Sequence, residues 1–418
     1  MGQPAAVSQL QRQAAAGRVH HAYIFHGPPG VGKFTTALAF AQLILCQDPH
    51  PSPAPAPGSG PRACGRCRSC ELIARGGHTD LHVVNKELAR FSEDRAIRER
   101  KLTTIPVEVL RDALLEPVYR KAAEGHGKVF IVDEAELLNP AGQNLLLKTL
   151  EEPPAGTHII LVTSSEDRLL PTIRSRCQRT AFVPLTDDLV LAQLPAMIAR
   201  HAAAAPGLIA DAERNLAKIT ERESARGGDA KPAKGKKESP KDRALAALQK
   251  AKAHAAWLDR AAKEPRLRAW LAEFGAGALG RVDLALRHDL AEWALAVLPA
   301  LDAIRGGRAD PELGATLYRF IDQFAEMVVA ADDQASKVAA NKLAAALMST
   351  MITQHARKKL RELAEHQADE PVDLDDAARP WLTVIDVMHE AEGDLASNVQ
   401  MSLVCDHLVS QLQRGMAA

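Results

Sequence analysis

Apolar and polar positions follow two regimes along the chain. Up to about residue 184, short continuous apolar runs stand between segments of helical spacing. HAYIFHG (21–27), KVFIVDEAE (128–136, ending in acids) and HIILVTSS (158–165) are short with continuous apolar centres, and read as buried strands. Between them, FTTALAFAQLILC (34–46) and NPAGQNLLLKTLEE (139–152) carry helical spacing, the second stopped by Pro153-Pro154. PTIRSRC (171–177) opens a further short segment. Buried strands separated by helices predict an α/β domain, a parallel sheet covered on both faces.

After Leu185 the strands stop. Residues 185 to about 220 are helical in pattern, and ERESARGGDAKPAKGKKESPKDR (221–243) then breaks it with Lys, Gly and Pro. This low-complexity insertion, about 221–252, is expected to be poorly ordered and solvated. Helical spacing then resumes to the end, with apolar stripes at Leu317, Ile321, Phe324 and Val328 and at Met401, Val404, Leu408 and Leu412. A Pro-rich spacer, PSPAPAPGSGP (51–61), interrupts the first region.

Composition narrows the class. The 418 residues allow two or three domains, and 4% aromatic content with abundant alanine favours helices. Lys plus Arg balance Asp plus Glu at 52 each, so any basic surface is local. No secretory leader is expected, and no apolar run reaches the ~18 residues that span a bilayer. A cytoplasmic chain with no membrane partner is the expectation. Six cysteines there favour metal binding over disulfides.

HGPPGVGKFTT (26–36) follows a strand and opens a helix, the context of a phosphate-binding loop. Gly27, Pro28, Pro29, Gly30, Val31 and Gly32 would close backbone N–H groups around a β-phosphate, and Lys33 would reach the β- and γ-phosphates. The next position normally supplies a hydroxyl to magnesium, and here it is Phe34. Thr35 is no substitute, because one helical step turns the side chain by ~100°. ATP with Mg2+ is thus expected to bind without efficient hydrolysis, or Phe34 simply packs in a site that no longer serves nucleotide. Asp133 and Glu134 close a strand downstream, where they would orient magnesium and polarise water.

CGRCRSC (64–70) spaces three thiols as pairs, and Cys46 supplies a fourth. Cys46, Cys64, Cys67 and Cys70 suit a tetrahedral structural Zn2+, which would supply the folding energy that this apolar-poor module (46–70) lacks. His78 is a rival ligand that a complete sulfur set does not need. Cys177 and Cys405 read as small core residues.

HAYIFHGPPGVGK, CGRCRSC, VFIVDEAELLNPAGQNLLLKTLEEPP and LLPTIRSRCQ, in this order, resemble the clamp-loader ATPase subunits of bacterial DNA polymerase III, within the AAA+ family. The resemblance is dense over about residues 2–185. HTDLHVVN (78–85) and the NPAGQNLLLKTLEEPP wording make it most like the delta-prime type. It implies an AAA+ ATPase-like domain with a zinc module (1–184), a helical lid (185–288) and a helical oligomerisation collar (289–418). It also implies a hetero-oligomer with motor (gamma/tau) and delta-type subunits, acting on the sliding clamp and primed DNA. Arg176 would be an arginine finger delivered to a neighbour's ATP site, and Ser164 would be the sensor-1 residue. The lid's sensor-2 arginine is replaced by Gly280, with Arg281 adjacent. Two other readings stay open: a motor subunit with an odd loop, and a zinc-bearing scaffold whose basic segments 62–75 and 222–252 bind DNA with no ATP-linked role.

Overall fold

A computed structural model describes residues 2–50, 60–124, 127–225, 239–308, 310–332, 334–366, 374–396 and 400–416. Five parallel strands, β1 (Ala22–His26), β2 (Leu81–Val84), β3 (Lys128–Val132), β4 (Thr157–Thr163) and β5 (Gln178–Ala181), form one sheet in the order β2-β3-β4-β1-β5. The three expected strands are all present, in register as Ile24 beside Leu161 and Ile131 beside Ile160. β2 and β5 add the two edges.

The helices of this half are α1 (Pro4–Ala15), α2 (Lys33–Leu45), α3 (Arg68–Ala74), α4 (Arg95–Arg98), α5 (Val107–Leu110), α6 (Pro140–Glu151) and α7 (Pro171–Arg174). Alternation along the strands divides the core. Tyr23, Phe25, Ile131 and Ile160 face α1 and α2 with Leu10, Phe40 and Leu45. Ile24, Phe130, Ile159 and Leu161 face α5 and α6 with Leu110, Leu146 and Leu150. Residues 22–25 of β1 are fully buried, which is why they carry no polar alternation.

Beyond Leu185 the described residues are helical: α8 (Asp187–Ala225), α9 (Pro240–Lys263), α10 (Pro265–Gly275), α11 (Leu279–His288), α12 (Ala291–Arg305), α13 (Leu313–Ala331), α14 (Lys337–His366), α15 (Leu374–Ala396) and α16 (Met401–Met416). One apolar cluster runs through them from Leu185 to Met416. The stripes at Leu317, Ile321 and Phe324 and at Leu408 and Leu412 are spent inside it, and Val404 is buried too. Among the described residues no helix is long and apolar enough to cross a membrane.

The expected insertion, about 221–252, is narrower than its composition suggests. α8 continues through residue 225, and α9 starts at Pro240. The Ser239 hydroxyl accepts the Asp242 N–H (3.1 Å), and the Asp242 carboxylate accepts the Ser239 N–H (3.2 Å). That capping box, with proline at the first helical position, overrides the lysine content that followed it in the reading. The remaining 226–238, and 51–59 of the proline spacer, lie outside the described residues.

Several contacts between described residues tie the halves together. Arg90, after β2, forms a bidentate pair with Asp332 at the end of α13, one arm at 2.9 Å. The Leu102 N–H donates to the Gln334 carbonyl (3.3 Å) nearby.

Candidate functional site

The C-terminal ends of β1, β3 and β4 open into one cavity of about 1000 Å³, closed on the far side by α8 and α11. Ligands of open α/β sheets bind at this end, where loops replace the strand ladder. The glycine loop leaves β1 here. Gly27 has φ +143°, and a Cβ on it would stand 2.1 Å from the Phe182 carbonyl oxygen, so only glycine fits beside β5. Gly32, at φ 100°, turns the chain into α2, whose first turn lines the cavity.

Pro29 through Thr35 line this cavity as the motif predicts, together with Asp133, Glu134 and Ser164. Gly27 and Pro28 stand behind it. Lys33 is buried and folded back: its Nζ donates to the Gly27 (2.6 Å) and Pro28 (2.7 Å) carbonyls. Burial pulls its ammonium below the ordinary lysine value, against the pull of Glu136 and Asp133. Phe34 does both things open to it. It lines the cavity and packs partly against the core under α2.

The acids behind the loop are occupied. Burial pushes the Asp133 carboxyl up, and Glu134 and Glu136 push the same way. Glu134 adopts a left-handed backbone (φ 52°) and gives its carboxylate to Lys86 at 2.8 Å. Glu136 takes both the amide (3.2 Å) and the hydroxyl of Ser164. Lys86 belongs to no motif, and only the fold brings it here; Glu136 follows Asp133 and Glu134 in the same string, but the motif assigns it no role.

The lid position read as a lost sensor arginine has a steric explanation. The Gly280 N–H donates to the Gly30 carbonyl at 2.9 Å, and a Cβ on Gly280 would lie 2.6 Å from the Gly30 Cα. Arg281 is half-buried and turns away from the cavity lining, its Nη1 3.5 Å from the Gly275 carbonyl. Gln3 completes the loop's support, its Nε2 donating to the Val31 (3.1 Å) and Val183 (2.7 Å) carbonyls.

The four cysteines converge. Their sulfurs all lie within 4.8 Å of one another, with Cys46–Cys67 at 3.9 Å and Cys64–Cys70 at 4.0 Å. Tetrahedral thiolates around zinc stand about 3.8 Å apart, given Zn–S bonds of about 2.3 Å. Cys46 caps the C-terminus of α2, Cys67 is the N-cap of α3, and Cys70 lies in its first turn. Amides already point at sulfur, Cys64 N–H to Cys46 and Cys67 N–H to Cys64, both 3.2 Å. Burial pushes the Cys70 thiol up to about 12. At Cys67 burial also works upward, but amide donors and neighbouring thiols bring it down to about 6. Four sulfurs this close could hold a metal ion, and all six cysteines of the chain are free of disulfides. His78 is not among the four; it is buried and its Nδ1 accepts the Asp80 N–H (3.0 Å). Cys177 and Cys405 are core residues, as expected, each thiol pushed up to about 12 by burial.

Arg176 stands outside the cavity lining. Its Nη2 meets Glu151 at the end of α6 at 2.5 Å, and its Nη1 donates to the Thr172 carbonyl at 2.9 Å. The KTLEEPP and TIRSRC motifs therefore touch each other. Gln143 fixes their relation: it donates to the Leu138 and Arg168 carbonyls (3.0 Å each) and accepts the Leu170 N–H (2.7 Å).

Residues 2–186 match the family described as DNA polymerase III, delta subunit. The DNA polymerase III subunit delta' of Escherichia coli (strain K12) is 36% identical over 169 residues, 40% of this chain and 44% of that one. That of Pseudomonas aeruginosa is 38% identical over 161 residues, 38% of this chain and 42% of that one. The subunit tau of Salmonella typhimurium is 36% identical over 177 residues, 42% of this chain and 24% of that one. The match spans less than half the length of each relative.

Proposed function

We propose that the chain, whose residues 2–186 are similar to delta-prime clamp-loader subunits of DNA polymerase III, supplies an arginine to a neighbour's nucleotide site and does not turn over nucleotide at its own. The observation that carries this is the placement of Arg176. It lies outside the lining of the cavity formed by its own phosphate loop, and its side chain is 35% exposed. An exposed pair such as Arg176–Glu151 is worth at most about 1 kcal/mol, so it does not hold the guanidinium against a phosphate in an adjoining subunit. There it would stabilise charge developing on a γ-phosphate, and Arg176 would be catalytic in trans.

The chain's own site has Phe34 in place of a metal-ligating hydroxyl, Glu134 held by Lys86, and Glu136 held by Ser164. These support binding of a nucleotide through Lys33 and the loop amides without hydrolysis. The sulfur cluster supports a structural Zn2+, since four thiolates leave no open position for a reacting water. Under the same reading, residues 1–184 are the ATPase-like domain, 185–288 the lid and 289–418 the collar. Because the collar's stripes are buried within it, assembly would use surface residues such as Leu295, Leu382 and Leu403 (72%, 51% and 59% exposed). The partners would be the motor and delta-type subunits, the sliding clamp and primed DNA.

The test is Arg176→Ala in a reconstituted loader. Assembly and folding should persist while DNA- and clamp-stimulated ATPase falls, and Arg176→Lys should not rescue it, because an ammonium lacks the forked geometry. A finger can be worth ~10³ in rate at one site, diluted in the complex by sites that keep theirs. Normal ATPase and clamp loading by the fully assembled variant would refute the assignment. ATPase loss that tracks lost assembly would instead make Arg176 a strut for α6.

The likeness to a tau subunit favours a second reading, a motor subunit. It requires robust turnover by the isolated chain, abolished by Lys33→Ala.

A further inference from the structure

The wall facing the phosphate loop lies beyond residue 186, outside the matched region, and carries a charge arrangement of its own. Arg200 and His201 on α8, and Asp283 and Arg287 on α11, all line the cavity. Asp283 holds the other three. Its Oδ1 accepts from Arg200 Nη2 (2.8 Å) and His201 Nε2 (2.9 Å), and its Oδ2 accepts from Arg287 Nη2 (2.8 Å). Asp283 and His201 are shielded, at 21% and 14% exposure, whereas the two guanidiniums are 68% and 60% exposed. Although burial works upward on the Asp283 carboxyl, the His201 hydrogen bond and the Arg287 and Arg200 charges hold it below the usual carboxylate range. It is an anion at neutral pH.

This anion sits where a long polyphosphate would need cations. Lys33 and the loop amides can serve the phosphates nearest the loop. A further phosphate adds charge that must be met by a metal ion or by guanidiniums across the cavity. The metal route is weakened by Phe34 and by the occupation of Glu134 and Glu136. The guanidinium route is already taken by a carboxylate that no ligand has to displace before a shorter phosphate chain can bind.

We propose that Asp283 sets the phosphate-length selectivity of this cavity: by engaging Arg200 and Arg287 it withholds them from a third phosphate, so the site takes a nucleoside diphosphate in preference to a triphosphate. This rests on the binding-without-turnover reading given above, and adds to it which nucleotide is bound and which residue decides.

The test is an equilibrium titration of the full chain with N-methylanthraniloyl-ADP and N-methylanthraniloyl-ATP. The wild-type chain should bind the diphosphate about tenfold more tightly or better, the scale of one charge-assisted contact. Asp283→Asn should shift the ratio about tenfold toward the triphosphate, and adding Arg287→Gln to that variant should reverse the shift. An unchanged ratio in Asp283→Asn, with binding intact, overturns this inference and leaves the binding reading standing. If thermal melting shows that Asp283→Asn does not fold, Arg200→Gln/Arg287→Gln in the otherwise native chain decides. Both side chains are exposed, and with Asp283 still charged the diphosphate preference should persist or grow. A native chain that prefers the triphosphate, with that preference lost in this double variant, would overturn the inference. No binding of either probe by the native chain, with Asp283→Asn equally silent, overturns both readings.

Discussion

The backbone of Gly280 rests on the backbone of Gly30: amide to carbonyl at 2.9 Å, with no space for a side chain on Gly280. The start of α11 is therefore seated on the glycine loop itself, and glycine at 280 is a packing requirement. Gly280→Ala is expected to lower stability by about 1–3 kcal/mol, the usual cost of overpacking against atoms that cannot move aside. Helix propensity alone would favour alanine by about 1 kcal/mol. A thermal melt decides, because the two effects have opposite signs. A more stable variant would show that the contact yields.

Metal removal should be felt as unfolding. Elemental analysis is expected to give about one zinc per chain, and strong chelators should melt the segment around Cys46 and Cys64–Cys70. Cys70→Ser should reproduce this, since Cys70 is the fully buried member of the cluster. A chain that is folded, metal-free and indifferent to chelation would remove the metal reading.

Phe34→Thr restores a hydroxyl at the magnesium position. Nucleotide affinity should then become magnesium-dependent, by roughly tenfold as one metal contact implies. Turnover should stay low until Lys86→Ala is added, because Lys86 holds Glu134 at 2.8 Å. Comparing the single and double variants in a steady-state ATPase assay tests this. Full activity in the single variant would show that the Lys86 pair gives way on binding.

His288 supplies a pH dependence. At the end of α11 it packs edge-on against Phe324, ring centroids 4.9 Å apart. Burial, reinforced by Arg287, pulls its pKa from 6.5 to about 4. The unfolded chain thus binds this proton more readily than the folded one. Stability from the neutral ring is complete above about pH 6.5 and is lost as pH falls toward 4, by about 3 kcal/mol at most for a shift of this size. Urea unfolding at pH 7.5 and 4.5 should show a larger difference for the native chain than for His288→Gln. Equal differences would mean that His288 titrates normally.

Much of this was legible in the chain. Strands β1, β3 and β4 announced themselves because a sheet covered on both faces leaves no polar alternation to confuse with a helix. β5 did not, because Gln178–Ala181 is an edge with a mixed pattern of burial. β2 is four residues with only Val84 fully buried. The loop, the acids and the four cysteines were readable because each needs fixed spacing along the chain. Lys86, Glu136, Asp283 and the Gly30–Gly280 seat were not, because their partners are separated by many residues and meet only through the fold. The Lys-rich insertion misled at its edges, where a local cap outweighed composition.

One helix joins two of these features. α2 begins at Lys33, in the phosphate loop, and ends at Leu45, immediately before Cys46 in the sulfur cluster. Thirteen residues make a rod of about 20 Å, whose peptide units are rigidly coupled. A change of geometry at the sulfur cluster would alter how the rod lies against β3 and β4, so the cluster and the glycine loop are the two ends of one lever.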